Sequence, residues 1–252
     1  DLHVRSRRQR QMCIRDSIRT LQTTIEDHCP SFDFEIALEW LSDTRFLNRS
    51  EKERKNMCGR YFFDLSSDEL KSYYDHVVLN ATGKHIRVGF NEIFPTNYIV
   101  TLGLNQDSRV VPGITQWGFQ GFKPGQLVIN ARSETVEEKK TFSTAFRETR
   151  CIIPVSGFYE WDFEKRKLLF TAGDNDVFYL GGFYRVHKTG AGFETESIIM
   201  TTKPNDSVSP IHDRMPLIIQ RDHIKDWITD LDFARNYLTA DMPELTRTEV
   251  AK

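Results

Sequence analysis

From about position 58 onward the chain is built of short runs in which apolar and polar residues alternate or β-branched and aromatic residues cluster, each run closed by turn residues. Tyr98–Leu104, Leu127–Ile129, Cys151–Val155, Leu168–Ala172, Val177–Leu180, Ser197–Thr202 and Leu217–Ile219 have this character and are predicted strands. Helical spacing is rarer. Ser66-Ser67-Asp68-Glu69 ahead of Leu70, Tyr73 and Tyr74 predicts a capped helix with an acidic first turn, and Thr141–Thr149 and Asp222–Leu231 carry apolar residues three and four apart. Strands and helices do not alternate regularly, so the pattern predicts an α+β fold: one mainly antiparallel, barrel-like sheet with peripheral helices. There is no internal repeat and no low-complexity tract.

Residues 1–56 follow a different pattern. Arg5 to Arg10 is a basic run, Phe34–Leu41 has the spacing of an amphipathic helix, and Asn48 to Asn56 is a charged stretch of linker type. The sequence begins at Asp1, and Met12–Ser17 resembles translated sequencing-adaptor sequence. A boundary near Lys55 divides an N-terminal extension, residues 1–56, expected to be non-native or removed, from a main domain, 57–235, and a C-terminal tail, 236–252.

Composition narrows the picture. With 252 residues, 39% of them hydrophobic and 12% aromatic, the chain can bury a sizeable core. No apolar run approaches the ~20 residues of a membrane span, and no charged segment leads into an apolar one as in a secretory signal. A cytoplasmic monomer, off the membrane, is the expectation. The cysteines Cys13, Cys29, Cys58 and Cys151 form no CxxC pair and no Cys/His ligand spacing, so no metal, cofactor or disulfide framework is expected. The net charge of −2 divides into +1 for residues 1–56 and −3 for residues 57–252. A nucleic-acid contact must therefore come from locally clustered arginines rather than from bulk charge.

Candidate chemistry begins at Met57-Cys58-Gly59-Arg60. If Met57 initiates the mature protein and is removed, Cys58 carries a thiol and a free α-amine on adjacent carbons. An aldehyde condenses with the amine to an imine, and the thiolate closes a five-membered thiazolidine. The bland alternative is a Cys-Gly pair at the head of a strand. Cys151 opens an apolar strand and reads as a buried, inert thiol. Glu160 stands in Gly157-Phe158-Tyr159-Glu160-Trp161, among aromatics that would desolvate its carboxyl and raise its pKa, or it is the outward residue of an alternating strand. His212 lies in Pro210-Ile211-His212-Asp213-Arg214-Met215-Pro216, where the two prolines predict a rigid, extended loop that projects its side chains. Asn130 offers two donors and an acceptor, or is a turn residue after Leu127–Ile129. Arg60, Arg132 and Arg214 each sit within two residues of one of these candidates and suit phosphate. Trp117 and Phe119 are either base-stacking platforms or core.

Taken in order, MCGR, Trp117-Gly118, Asn130-Ala131-Arg132-Ser133-Glu134-Thr135, Cys151–Trp161 and Pro210–Pro216 resemble the SOS-response-associated peptidase (SRAP) family of abasic-site processing proteins, over about residues 57–235. The resemblance implies a single β-rich domain and a catalytic set of Cys58, Asn130, Glu160 and His212. In it, Cys58 would crosslink to the ring-opened abasic sugar of single-stranded DNA, with AP-lyase and autoproteolytic activity as accompaniments. Glu160 would assist proton transfer at the cysteine amine and the sugar ring, His212 would act at O4′, Asn130 would position sugar and thiol, and Arg60, Arg132, Arg214, Trp117 and Phe119 would contact DNA. The segment between Trp117 and Asn130 is shorter than usual for the family. Two rival readings use the same residues: a cysteine hydrolase with His212 as base, and a non-catalytic reader of single-stranded DNA.

Overall fold

The computed structural model describes residues 59–81, 86–121, 125–173, 177–189 and 192–250. All of them fall in one compact unit, Asn56–Lys252. The described residues open with β1 (Arg60–Phe63), helix α1 (Asp68–Asn80) and strands β2 (Asn91–Ile93), β3 (Tyr98–Leu104) and β4 (Val110–Trp117). A small hairpin, β5 (Phe119–Gln120) and β6 (Leu127–Val128), leads into β7 (Asn130–Arg132) and then α2 (Lys140–Glu148). Next come β8 (Arg150–Val155), β9 (Gly157–Trp161), β10 (Lys167–Thr171) and the long hairpin β11 (Phe178–Thr189) and β12 (Gly192–Thr202). The chain closes with β13 (Met215–Pro216), β14 (Ile218–Ile219), α3 (Ile224–Thr229), α4 (Leu231–Tyr237) and β15 (Thr246–Glu249).

The fold is α+β, as the pattern predicts, and its larger sheet closes on itself. β12 pairs with β4, β4 with β3, β3 with β8, β8 with β11, and β11 returns to β12, giving a five-stranded barrel. β7 and β13 add to β12, and β14 adds to β11. A second, antiparallel sheet runs β15-β10-β9-β1-β2. Thr246–Glu249, inside the segment set apart as a tail, thus forms the edge of this sheet.

Ser156 is the corner between the two sheets. β8 in the barrel and β9 in the second sheet are separated by this one residue, whose N–H donates to the Phe62 carbonyl at 2.8 Å and whose hydroxyl accepts from the Asp64 N–H at 3.1 Å. β1 alternates half-buried and buried, with Tyr61 and Phe63 inward, while β8 is buried at all six positions because the barrel lies on one side and helices on the other. Each such Phe or Ile contributes about 1.5–3 kcal/mol of burial.

Three local readings are corrected. Asp222–Leu231 is not one helix: the chain leaves helical geometry at Asp230 (φ −103°, ψ 113°), whose carboxylate accepts from the N–H groups of Asp232 and Phe233 and starts α4. Ser67 does precede α1, but its side chain makes no capping bond. The backbone before His212 is turned rather than extended, since the N–H groups of Ile211 and His212 both donate to the Val208 carbonyl. Pro210 sits inside that turn and does not lack a bond it needs.

Candidate functional site

Cys58 lies outside the described residues. Its neighbour Gly59 is half-buried and leads into β1, where Arg60 is paired with Tyr159 of β9. Glu160 follows Tyr159 on the inward-facing side of β9, shared with Phe158, and is only 4% exposed. Phe158 stacks on Phe170 at 5.1 Å, and Glu160 is paired across the strands with Leu168. The register of β1 and β9 thus sets Arg60, the last residue of MCGR, opposite the residue that precedes Glu160.

Asn130 heads β7 and is aligned with Ile199 of β12, in parallel. The tie between this motif and β1 is Trp117. Its ring lies 5.3 Å from that of Tyr61, and its indole N–H donates to the Ile129 carbonyl at 3.2 Å, one residue before Asn130.

His212 is tied to the same motif by a second route. Two residues on, Arg214 meets Glu134 through both guanidinium arms, one at 2.7 Å, and donates to the Thr201 carbonyl at 2.8 Å. Those bonds from Arg214, chiefly, hold the Glu134 carboxyl below its ordinary pKa. The Arg214 backbone N–H donates to His212 Nδ1 at 3.1 Å, and Asp213 Oδ1 lies 3.0 Å from the same nitrogen.

The expected DNA contacts divide. Arg132 is exposed. Arg60 pairs with Glu92 at 2.9 Å and lies over the rings of Phe94 and Trp161. Glu92 also holds Lys167 at 2.6 Å; burial pulls its pKa up, but these two cations bring it below the ordinary value. Arg214 is a buried residue engaged by Glu134. Trp117 and Phe119, expected as stacking platforms or core, are core: both are fully buried, and Phe119 packs on Phe183 under the Arg185 guanidinium. Neither ring has a face open to a base. Cys151 is buried, and burial pushes its thiol pKa up, which suits the inert role read from its strand.

Sequence reasoning passes over Glu134, Glu92 and Lys167. Glu134 had a signal, an acid two residues after Arg132 within a quoted motif, but its partner is 80 positions away. No group of three or more His, Cys, Asp or Glu that could hold a metal occurs among the described residues. No helix among them is long and apolar enough to cross a membrane.

The fold is similar to that of solved structures of a Bordetella bronchiseptica protein (TM-score 0.63, 21% identity, 77% of this chain and all of that one) and a Bacteroides thetaiotaomicron protein (TM-score 0.60, 20% identity, 77% and 92%). The profile of the SOS response associated peptidase (SRAP) family matches residues 57–251, and the chain belongs to that family. Among its relatives is the Bacillus subtilis abasic site processing protein YoaM, 31% identical over 192 residues, 72% of this chain and 83% of YoaM. The Escherichia coli abasic site processing protein YedK is 26% identical over 118 residues, 44% of this chain and 53% of YedK.

Proposed function

We propose that this protein senses abasic sites in single-stranded DNA and captures them covalently through Cys58. The ring-opened sugar presents an aldehyde; the Cys58 amine adds and loses water to give an imine, and the thiolate adds to the imine carbon to close the thiazolidine. The imine also permits β-elimination, so a weak lyase activity accompanies capture. Glu160 exchanges protons at the amine and the aldehyde oxygen, His212 supplies a proton to the ring oxygen, and Asn130 orients the sugar. Arg132 and Arg60 are the phosphate contacts; Arg214 can serve only by exchanging Glu134 for a phosphate.

The observation that most supports this reading is the mutual tethering of the four motifs, through the β1–β9 register, the Tyr61–Trp117–Ile129 link and the Glu134–Arg214 pair. The relatives' designation as abasic site processing proteins points to the same substrate.

The chemistry requires a free amine on Cys58, so the reactive form begins at that residue. Protein beginning at Cys58 is expected to give a heat-stable adduct with single-stranded DNA bearing an abasic site. Cys58→Ser should give none, because a hydroxyl closes no thiazolidine, and the chain retaining residues 1–57 should give none either. Blocking the α-amine alone should abolish capture, whereas a thiol hydrolase would survive it. An undiminished heat-stable adduct from Cys58→Ser, or from the amine-blocked protein, would exclude the mechanism.

A further inference from the structure

The imidazole of His212 is oriented by a relay that begins on the barrel. Thr201 of β12 is in register with Arg132 of β7, and the chain then turns through Ser133–Thr135, which presents Glu134. Glu134 takes both arms of the Arg214 guanidinium, whose side chain is 10% exposed and whose Nη2 also donates to the Thr201 carbonyl at 2.8 Å. Arg214 is thereby fixed at its side chain, and its backbone N–H is directed at His212 Nδ1, 3.1 Å away.

That last contact decides where the imidazole carries its proton. A neutral imidazole has one N–H, and an amide that donates to Nδ1 needs the lone pair there, which leaves the proton on Nε2. Asp213 favours the opposite arrangement, because its Oδ1, 3.0 Å from Nδ1, can only accept. The Asp213 side chain is 84% exposed and shared with water, whereas the Arg214 amide is held by a buried residue. The contest between the two is settled by whatever holds Arg214.

We propose that Glu134 is a positioning residue: by clamping Arg214 it keeps the Arg214 amide on His212 Nδ1, and so presents His212 as a hydrogen-bond donor through Nε2. The consequence for catalysis rests on the proposed function, since a donor at Nε2 is what a departing sugar oxygen requires. The tautomer itself does not.

Imidazole nitrogen NMR on the full chain tests it directly, with His212 identified by the signal missing from His212→Ala. The unsubstituted protein is expected to hold its proton on Nε2 when neutral, and Glu134→Ala to shift His212 toward the Nδ1–H form. Glu134→Gln keeps the shape and one acceptor, so it supplies a folded comparison and should shift the balance part of the way. Nδ1–H in the unsubstituted protein, or an unchanged tautomer in both variants, overturns the proposal.

Capture kinetics, in the form that begins at Cys58, give a second readout. Glu134→Ala should slow adduct formation about tenfold or more and cost nothing further when added to His212→Ala. Losses that add in the double variant would mean that Glu134 does not act through His212. Absence of capture by the unsubstituted protein would instead refute the proposed function, and the NMR result would still decide the tautomer.

Discussion

Trp117 is a large aromatic beside a glycine, and in a nucleic-acid reader that pattern suggests a stacking surface. Its environment gives it another task, since it carries the contact between Tyr61 and the residue preceding Asn130. The type of each candidate was legible in the sequence: a thiol next to glycine, an acid among aromatics, a histidine in a proline-bounded loop. Their partners were not, because Glu134 and Arg214 meet only after five further strands, β8 to β12, are laid down between them. Arg150 makes the same point in the core. It is 4% exposed and donates to the carbonyls of Phe146, Arg147, Trp227 and Ile228, closing the ends of α2 and α3. Nothing in Arg150-Cys151 distinguishes it from a surface arginine. Arg150→Met fills much of the same volume but leaves those carbonyls without their donor, and the loss is expected to be about 3 kcal/mol. Denaturant titration measures it; a midpoint within error of the unsubstituted protein would mean that water replaces the guanidinium.

Elements with a strong apolar period were read nearly as they stand. Tyr98–Leu104 is observed over the same residues, and Thr141–Thr149 differs from Lys140–Glu148 by one position at each end. The failures have physical causes. β15 is the polar run Thr246–Glu249, exposed at every position, and is a strand only because β10 offers it an edge. The pattern marks only Val177–Leu180 of β11, because Gly181-Gly182 interrupts the side-chain period, yet the glycines are what the barrel requires there. A Cβ on Gly182 would lie 2.6 Å from the Ile198 carbonyl oxygen and 2.5 Å from Ile153 Cδ1. The first of these is backbone and cannot move without opening the β11–β12 pairing that closes the ring. Gly182→Ala is therefore expected to destabilise the protein by about 2–3 kcal/mol, read from the denaturation midpoint. An unchanged midpoint would mean that the barrel gives way locally at little cost.

For the molecule as a whole, residues 57–252 carry a net −3, so affinity for DNA depends on where its cations stand. Arg132 is exposed, while Arg214 is already neutralised by Glu134. Arg132→Ala should weaken binding uniformly across sequences and flatten the dependence of log K on log salt by about one unit of slope, with Arg214→Ala changing it less. Fluorescence titrations at several salt concentrations give both slopes, and equal slopes for all three proteins would remove Arg132 from the phosphate path. The same pairing makes the fold sensitive to acid. The carboxyls of Glu69, Glu92, Glu134 and Glu137 are all held below their ordinary pKa: for Glu134 and Glu137 the bonds from Arg214 and Arg235 lead, while for Glu69 and Glu92 burial opposes and is outweighed, by Arg221 with the hydroxyls of Tyr179 and Tyr73 at Glu69 and by Lys167 with Arg60 at Glu92. A group whose pKa is lower folded than unfolded contributes stability that is complete above the unfolded value, about 4.3 for Glu, and is lost as pH falls through the folded one. Tm should accordingly be level from neutrality down to about pH 5, relative to those four groups, and fall steadily below it. Glu134→Gln, which cannot titrate, should lower Tm at pH 7 and flatten its fall in acid. If the acid slope of Glu134→Gln matches that of the unsubstituted protein, the Glu134–Arg214 pair contributes nothing to the folded state's hold on its protons.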